Sequence, residues 1–240
     1  MDYTNYVKWK DWKWASPEDL RDWQRQSFRK ELAKVPGTPK QVLEIGFGAG
    51  EFMVFAREQG MEIHGVELIP ELVEEARRNE FPAEMIDFAN EETENGWRRF
   101  DLVVMFDVIE HIPRGNSQIF WKNIGRALKE GGFVLCRFPN GNSPFSLPYY
   151  NGDLTHQVWL NATSLEQQLL GTDLALVAFD NAARVASGKL RLLKRMLFVV
   201  RSVTEWLVGL TYHGCRFPMD PNAVALLKKE TQSSNSHGEL

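Results

Sequence analysis

VLEIGFGAGEF, Val42 to Phe52, runs from a short apolar strand through three alternating glycines into the start of a helix. Gly46, Gly48 and Gly50 permit positive φ and let a ligand lie against bare backbone, while the helix that follows offers unpaired N–H groups. A nucleotide-like ligand is expected there. The dinucleotide fingerprint GxGxxG is not met, because Glu51 takes its third glycine position counting from Gly46, and Met53 takes it counting from Gly48. No GK[ST] follows, so the phosphate loop of nucleoside triphosphatases is excluded as well. Glu51 would repel a pyrophosphate but suits the first turn of a helix.

Outward from this stretch, short apolar runs alternate with amphipathic segments, the pattern of βαβ units on a parallel sheet. The spacing predicts strands at Val42–Ile45, Glu62–Val66, Ala83–Ile86, Leu102–Phe106 and Phe133–Arg137, with helices at Glu51–Gln59, Pro70–Arg78 and Ser117–Lys129. Glu67 ends the second strand, 21 residues after Gly46, where a carboxylate can accept both hydroxyls of a ribose. Asp87 ends the third strand and Asp107 the fourth. Ligands of open α/β sheets bind beyond the carboxyl ends of the strands, so these acids and the glycine loop should converge on one crevice.

Ahead of the core, Ser16-Pro-Glu-Asp reads as a helix start and predicts a helix from Pro17 to Ala33, the main part of an N-terminal helical cap over residues 1–40. Residues 41–230 should form the main domain. Within it, residues 139–163 read as a long aromatic-rich loop, ordered and suited to meeting an acceptor, and residues 182–212 as a helical insertion. A helix at Ser164–Leu170, a strand at Leu174–Phe179 and the apolar run Ala223–Leu227 should complete the sheet. Residues 231–240 read as a disordered tail. Between Lys189 and Leu210 the helical spacing sets Arg191, Lys194, Arg195, Arg201, Ser202 and Glu205 on one side, and leucines, Val203 and Trp206 on the other. A cover over the chain's own domain, a homodimer contact and a membrane-surface role are the alternatives for this helix.

A net charge of −4 gives no general attraction for phosphate backbones, so nucleic acid is not an expected partner. The two cysteines, Cys136 and Cys215, are far apart and form neither a disulfide framework nor a zinc motif, which points to a reducing cytoplasm. The N-terminus alternates aromatics with charges and does not read as a signal peptide. The longest uncharged apolar run in the basic helix, Met196–Val200, is closed by Arg195 and Arg201, far short of a membrane span.

The order E-x-G-x-G-x-G at Glu44–Gly50, then Glu67, Asp87 and DVIEHI at Asp107–Ile112, resembles the class I S-adenosylmethionine-dependent methyltransferases over residues 41 to 138. The resemblance implies an α/β, Rossmann-like fold with a seven-stranded, mostly parallel sheet and helices on both faces. It also implies S-adenosylmethionine as cofactor and S-adenosylhomocysteine as product. Carried over, Gly46, Phe47, Gly48 and Gly50 would face the methionine part, Glu67 the ribose, Asp87 with Phe88 the adenine, and Asp107 with Val108 the cofactor's other side. Glu44 would orient the glycine loop or meet the cofactor's amino group through water. RFPNGNSPF at Arg137–Phe145 and GDLTHQVWLNATSLEQQL at Gly152–Leu169 are similar to bacterial methyltransferases associated with glycans and related acceptors. That likeness implies O-methylation of a polyhydroxylated small molecule, nucleotide-sugar or glycan, with a lipid or quinone precursor as the alternative acceptor. A catalytically silent cofactor-binding subunit is the alternative of another class, against which the intact glycines, acids and histidines speak.

A hydroxyl acceptor calls for a general base, and histidine suits the task at neutral pH. His156 follows Asp153 by three residues, a carboxylate expected to fix its tautomer, and His111 follows Asp107 by four as the substitute. Arg137 and Asn140 are candidates for acceptor hydroxyls or a phosphate, and Tyr149, Tyr150 and Trp159 for stacking on a sugar ring. No grouping of histidines and carboxylates at ligand spacing stands out along the chain, so no metal is expected.

Overall fold

The computed structural model describes residues 9–90 and 100–231, which leaves residues 1–8 and nearly all of the tail outside the description. Seven strands form one sheet: β1 Gln41–Ile45, β2 Glu62–Val66, β3 Ala83–Glu84, β4 Phe100–Phe106, β5 Leu128–Pro139, β6 Leu174–Asn181 and β7 Asn222–Lys229. Their order is β3-β2-β1-β4-β5-β7-β6, with β7 antiparallel to both neighbours and the pairs from β3 to β5 parallel. The helices are α1 Asp22–Leu32, α2 Glu51–Glu58, α3 Pro70–Arg78, α4 Ser117–Ala127, α5 Leu147–Asn151, α6 Ala162–Leu169 and α7 Arg191–Val208. The chain therefore adopts the expected α/β architecture.

Alternate strand residues feed two cores. Val42, Leu102, Val104 and Leu135 pack with α1, α2 and α3 on one face, while Leu43, Val103, Met105 and Val134 pack with α4 and α6 on the other. Burial of both faces explains why β1 and β4 read as nearly continuous apolar runs. Phe28 of α1 sits 5.4 Å from Phe52, 5.4 Å from Phe55 and 5.6 Å from Phe106, so this N-terminal helix is packed into the main core.

Element boundaries shift where pairing decides them. The helix expected from Pro17 begins only at Asp22. Asp19 Oδ2 accepts from Ser16 N at 3.0 Å and closes a separate turn, and the Gln24 side chain accepts from Arg21 N at 2.9 Å to start α1 afresh. The third strand stops at Glu84 because its partner β2 ends at Val66, so Met85 and Ile86 find no ladder. β5 starts at Leu128, five residues earlier than the pattern suggested, and takes the end of the expected Ser117–Lys129 helix. The 139–163 loop holds α5 and is pinned by an Asn140–Leu160 bridge.

The basic amphipathic segment forms α7, and its polar side faces the protein. Arg184 bonds Asp220 Oδ2 at 2.5 Å, Glu205 Oε1 at 2.5 Å and Ser202 Oγ at 2.7 Å, Arg201 pairs with Asp220, and Asn181 donates to Glu205 at 2.8 Å. The apolar side is left outward.

Replacing Phe28 with alanine should cost about 3–5 kcal/mol of stability, the usual range for removing a buried ring. Urea unfolding would check this, and a loss under 1 kcal/mol would mean that α1 is not integral to the core.

Candidate active site

The crevice opens where β1 and β4 lie side by side and their following loops part. Gly46 has φ +71°, Gly48 +53° and Gly50 +74°, the left-handed region in which glycine alone is unstrained. A Cβ at Gly46 would fall 2.6 Å from Val108 Cγ2. Val108 is brought there by Asp107, which itself adopts φ +60°, an uncommon conformation for a residue with a side chain. The Asp107 carboxylate pairs with Arg137, whose guanidinium also lies 4.8 Å from the Phe106 ring centre.

A cavity of about 430 Å³ lies beyond these strand ends. Gly46, Glu67, Asp87, Phe88, Asp107, Val108 and His111 line it, together with Trp12, Asn90 and Gln157, which the sequence reading did not single out. Glu67 is held by three backbone donors, Gly48 N at 3.1 Å, Leu68 N at 2.7 Å and Ile69 N at 3.3 Å. Burial raises its pKa, and these donors oppose the rise. Asp87 accepts from Ala89 N at 2.9 Å and Asn90 Nδ2 at 2.6 Å, which closes the turn after β3.

Other expected contacts lie behind the cavity wall. Phe47 is buried against Trp14, with ring centres 6.1 Å apart, and Gly48 and Gly50 are roofed by Trp12 and Trp14. Glu44 is buried with Oε2 lacking a hydrogen-bond partner, and desolvation raises its pKa well above the usual carboxylate range. Asn140 is fully buried: its amide donates to the Pro218 and Asp220 carbonyls at 3.0 and 3.1 Å and its Oδ1 accepts from Asn142 N. It is a structural tie between two loops, not an exposed acceptor contact. Arg137 is committed to Asp107. Tyr149 is exposed, and Tyr150 stacks on Trp159 at 3.8 Å.

The two histidines meet, with ring centres 4.7 Å apart, but their partners differ from the expected ones. Asp153 Oδ1 takes the Thr155 hydroxyl at 2.5 Å, and Thr155 Oγ1 lies 2.9 Å from His111 Nδ1. The carboxylate thus orients His111 through a threonine. His156 instead places Nδ1 2.7 Å from the Tyr150 carbonyl and Nε2 3.8 Å from Glu110 Oε1. The three-residue spacing in Asp-x-Thr-His set the turn but not the direction of the imidazole.

Glu110 is the site residue most thoroughly hidden from sequence reading. It is 1% exposed, neither carboxylate oxygen has a hydrogen-bond partner, and burial followed by the charge of Asp107 holds its pKa far above normal. Its backbone carbonyl accepts from Gln157 N at 2.8 Å and Val158 N at 3.2 Å, tying the turn after β4 to the 139–163 loop. Glu110, His111 and His156 bring ligand-type atoms within 4.8 Å of one another, a grouping that spacing along the chain did not show because the loop's return joins residues far apart in sequence. Two imidazoles and a carboxylate are a donor set that suits a divalent transition metal.

A family model described as a methyltransferase domain matches residues 17–178, and this chain belongs to that family. No curated protein matches it. Among solved structures, the chain is similar to a SAM-dependent methyltransferase from Archaeoglobus fulgidus at 20% identity and a TM-score of 0.63, covering 95% of this chain and 100% of that one. It is similar to a putative methyltransferase of Haloferax volcanii solved with its Trm112 activator, at 15% identity, TM-score 0.62, and 89% and 92% coverage. The CcbJ methyltransferase of Streptomyces caelestis gives 13% identity, TM-score 0.61, and 96% and 100% coverage. The likeness to these solved structures shows the fold, and the family model makes the chain a methyltransferase-domain protein. The cavity fits S-adenosylmethionine on its own terms: bare backbone at Gly46, a buried acid at Glu67 and a second acid, Asp87, beside the Phe88 backbone.

Gly48→Val should weaken S-adenosylmethionine binding about 10–100-fold, because a branched residue resists the left-handed φ and meets the Trp12 ring, 3.2 Å from where its Cβ would lie. Calorimetric titration would measure it, with circular dichroism confirming that the fold persists.

Proposed function

We propose that this enzyme methylates a hydroxyl of a polyhydroxylated small molecule, nucleotide-sugar or glycan, with His111 as the group that takes the acceptor proton. The observation that carries the reading is the Asp153–Thr155–His111 relay, which ends on the cavity wall beside Asp107 and Val108. S-adenosylmethionine, when bound, supplies an electrophilic methyl group. A neutral hydroxyl is a poor nucleophile, and a base within reach of its proton raises its reactivity as the new bond forms.

The relay assigns the protons. The Thr155 hydroxyl donates to Asp153, so Thr155 Oγ1 accepts from His111 Nδ1–H, and the Nε2 lone pair is left for the acceptor. Burial, and next the neighbouring His156, push the His111 pKa down to about 4, so the ring is unprotonated at neutral pH. The charge of Asp153 acts in the opposite sense and favours the imidazolium formed when the proton arrives. His156, with Nδ1 on a carbonyl, serves as packing and as the neighbour that keeps His111 neutral. The stacked Tyr150 and Trp159 offer aromatic faces beside this pair, a surface that suits the C–H face of a sugar ring.

His111→Ala should lower kcat about 10²–10⁴-fold with cofactor affinity nearly unchanged. Thr155→Val should reproduce part of that loss, and His156→Ala should have the smaller effect of the two histidine changes. Because the free base exists above its pKa, wild-type kcat/KM should stay level from pH 8 down to about pH 5 and fall as the pH approaches 4. An acid limb centred near an ordinary histidine value, or a His111→Ala enzyme with normal turnover, would remove His111 from this role.

The unpartnered Glu110 carboxylate favours a second reading, in which Glu110, His111 and His156 hold a divalent metal that binds the acceptor oxygen. Dialysis against a chelator decides between them. Full activity afterwards leaves His111 as base, whereas loss of activity restored by added Mn²⁺ or Zn²⁺ makes it a ligand.

A further inference from the structure

The apolar side of α7 is turned away from the protein. Leu192, Met196, Val199, Val203, Trp206 and Leu210 follow one another at steps of four and three residues, and each is more than half exposed. Leu193, Val200 and Leu207 widen the stripe on one side, so at 100° per residue the apolar arc spans roughly 140°. The orientation is fixed from within: Arg184, Asp220, Glu205 and Asn181 hold the polar side by hydrogen bonds and ion pairs, so the helix cannot roll its apolar side inward without leaving charges unpaired.

Charge selects the occupant. Between Ala182 and Met219 the sequence carries seven Lys and Arg residues and a single acid, Glu205, in a chain whose net charge is −4. Glu205 is buried against Arg184, so the exposed charge of the helix is wholly positive. Arg195 lies at one border of the apolar arc with Arg191 beyond it on the same flank, where long side chains can reach away from buried apolar surface to anionic groups, while Lys194 falls on the polar side and donates to the Ser187 carbonyl at 3.2 Å. A second copy of the helix would bring like charges together, and its arc is broader than the narrow seam of a helix pair, whose flanking positions are usually charged. No described helix is long and apolar enough to cross a membrane.

We propose that α7 lies flat on an anionic phospholipid surface, apolar side down, with Arg195 and Arg191 on its flank against lipid phosphates. Asn140 and Ser143 of the acceptor loop bond the carbonyls of Pro218, Met219 and Asp220, the segment that also anchors α7, so the acceptor loop stands at the same edge of the sheet as the docked helix.

Flotation with vesicles of equal parts phosphatidylcholine and phosphatidylglycerol tests this. Wild-type protein should float with them, and should float poorly with phosphatidylcholine alone or at high salt. Changing Arg191 and Arg195 to glutamate should weaken partitioning by at least roughly 30-fold. Val199→Asp with Val203→Asp, which alters only exposed positions, should abolish flotation while the thermal melt and methyl-transfer activity on a soluble acceptor persist. Wild-type protein that stays at the bottom of the gradient, or binds both vesicle types equally, overturns the proposal. So does a dimer seen by light scattering that the Val199→Asp, Val203→Asp pair dissociates in the absence of vesicle binding, which would give the surface to a second copy.

Discussion

The approach of Val108 to the bare Cα of Gly46 sets the geometry on which the site depends. β1 and β4 pair in parallel, so the loops after them leave the sheet at the same edge, and only an absent side chain at Gly46 lets them come this close. The left-handed turn at Asp107 aims Val108 into that space and sends the next residues, Glu110 and His111, along the rim. The cavity wall, His111 and the 139–163 loop all follow from this one junction, because the Glu110 carbonyl then receives the returning chain at Gln157 and Val158.

Much of this was legible where the determinants are local. Three glycines between a strand and a helix, and acids at successive strand ends, pointed to the crevice at the strand ends because strand alternation and helix start signals act within a few residues. β3 was read too long and β5 too short, since a strand lasts only as long as its neighbour offers a ladder. The relay was misassigned for a related reason. Asp153 and His156 are near in sequence, but the carboxylate turns to Thr155 while His156 turns to Tyr150 and Glu110, a choice made by a chain segment more than forty residues away. Glu110 stood inside the DVIEHI stretch, but nothing local marked it as buried, because an acid beside an apolar pair looks, in sequence, like any surface acid.

Helix α7 shows the complementary limit. Amphipathic spacing establishes that a helix has two sides, but not which of them meets the protein. The answer lies in Arg184 and Asp220, outside the helix, whose charges require partners and find them on its polar side. Counting apolar residues within the helix would have predicted the reverse packing.

The indoles of Trp12 and Trp14 precede the family-matched region, residues 17–178, yet they roof the glycine loop that the family motif defines. A ligand that enters or leaves the cavity meets Trp12 on its wall. Residence time at this site therefore answers to side chains that the shared catalytic framework does not specify, and the rate of exchange can diverge between relatives whose chemistry stays the same.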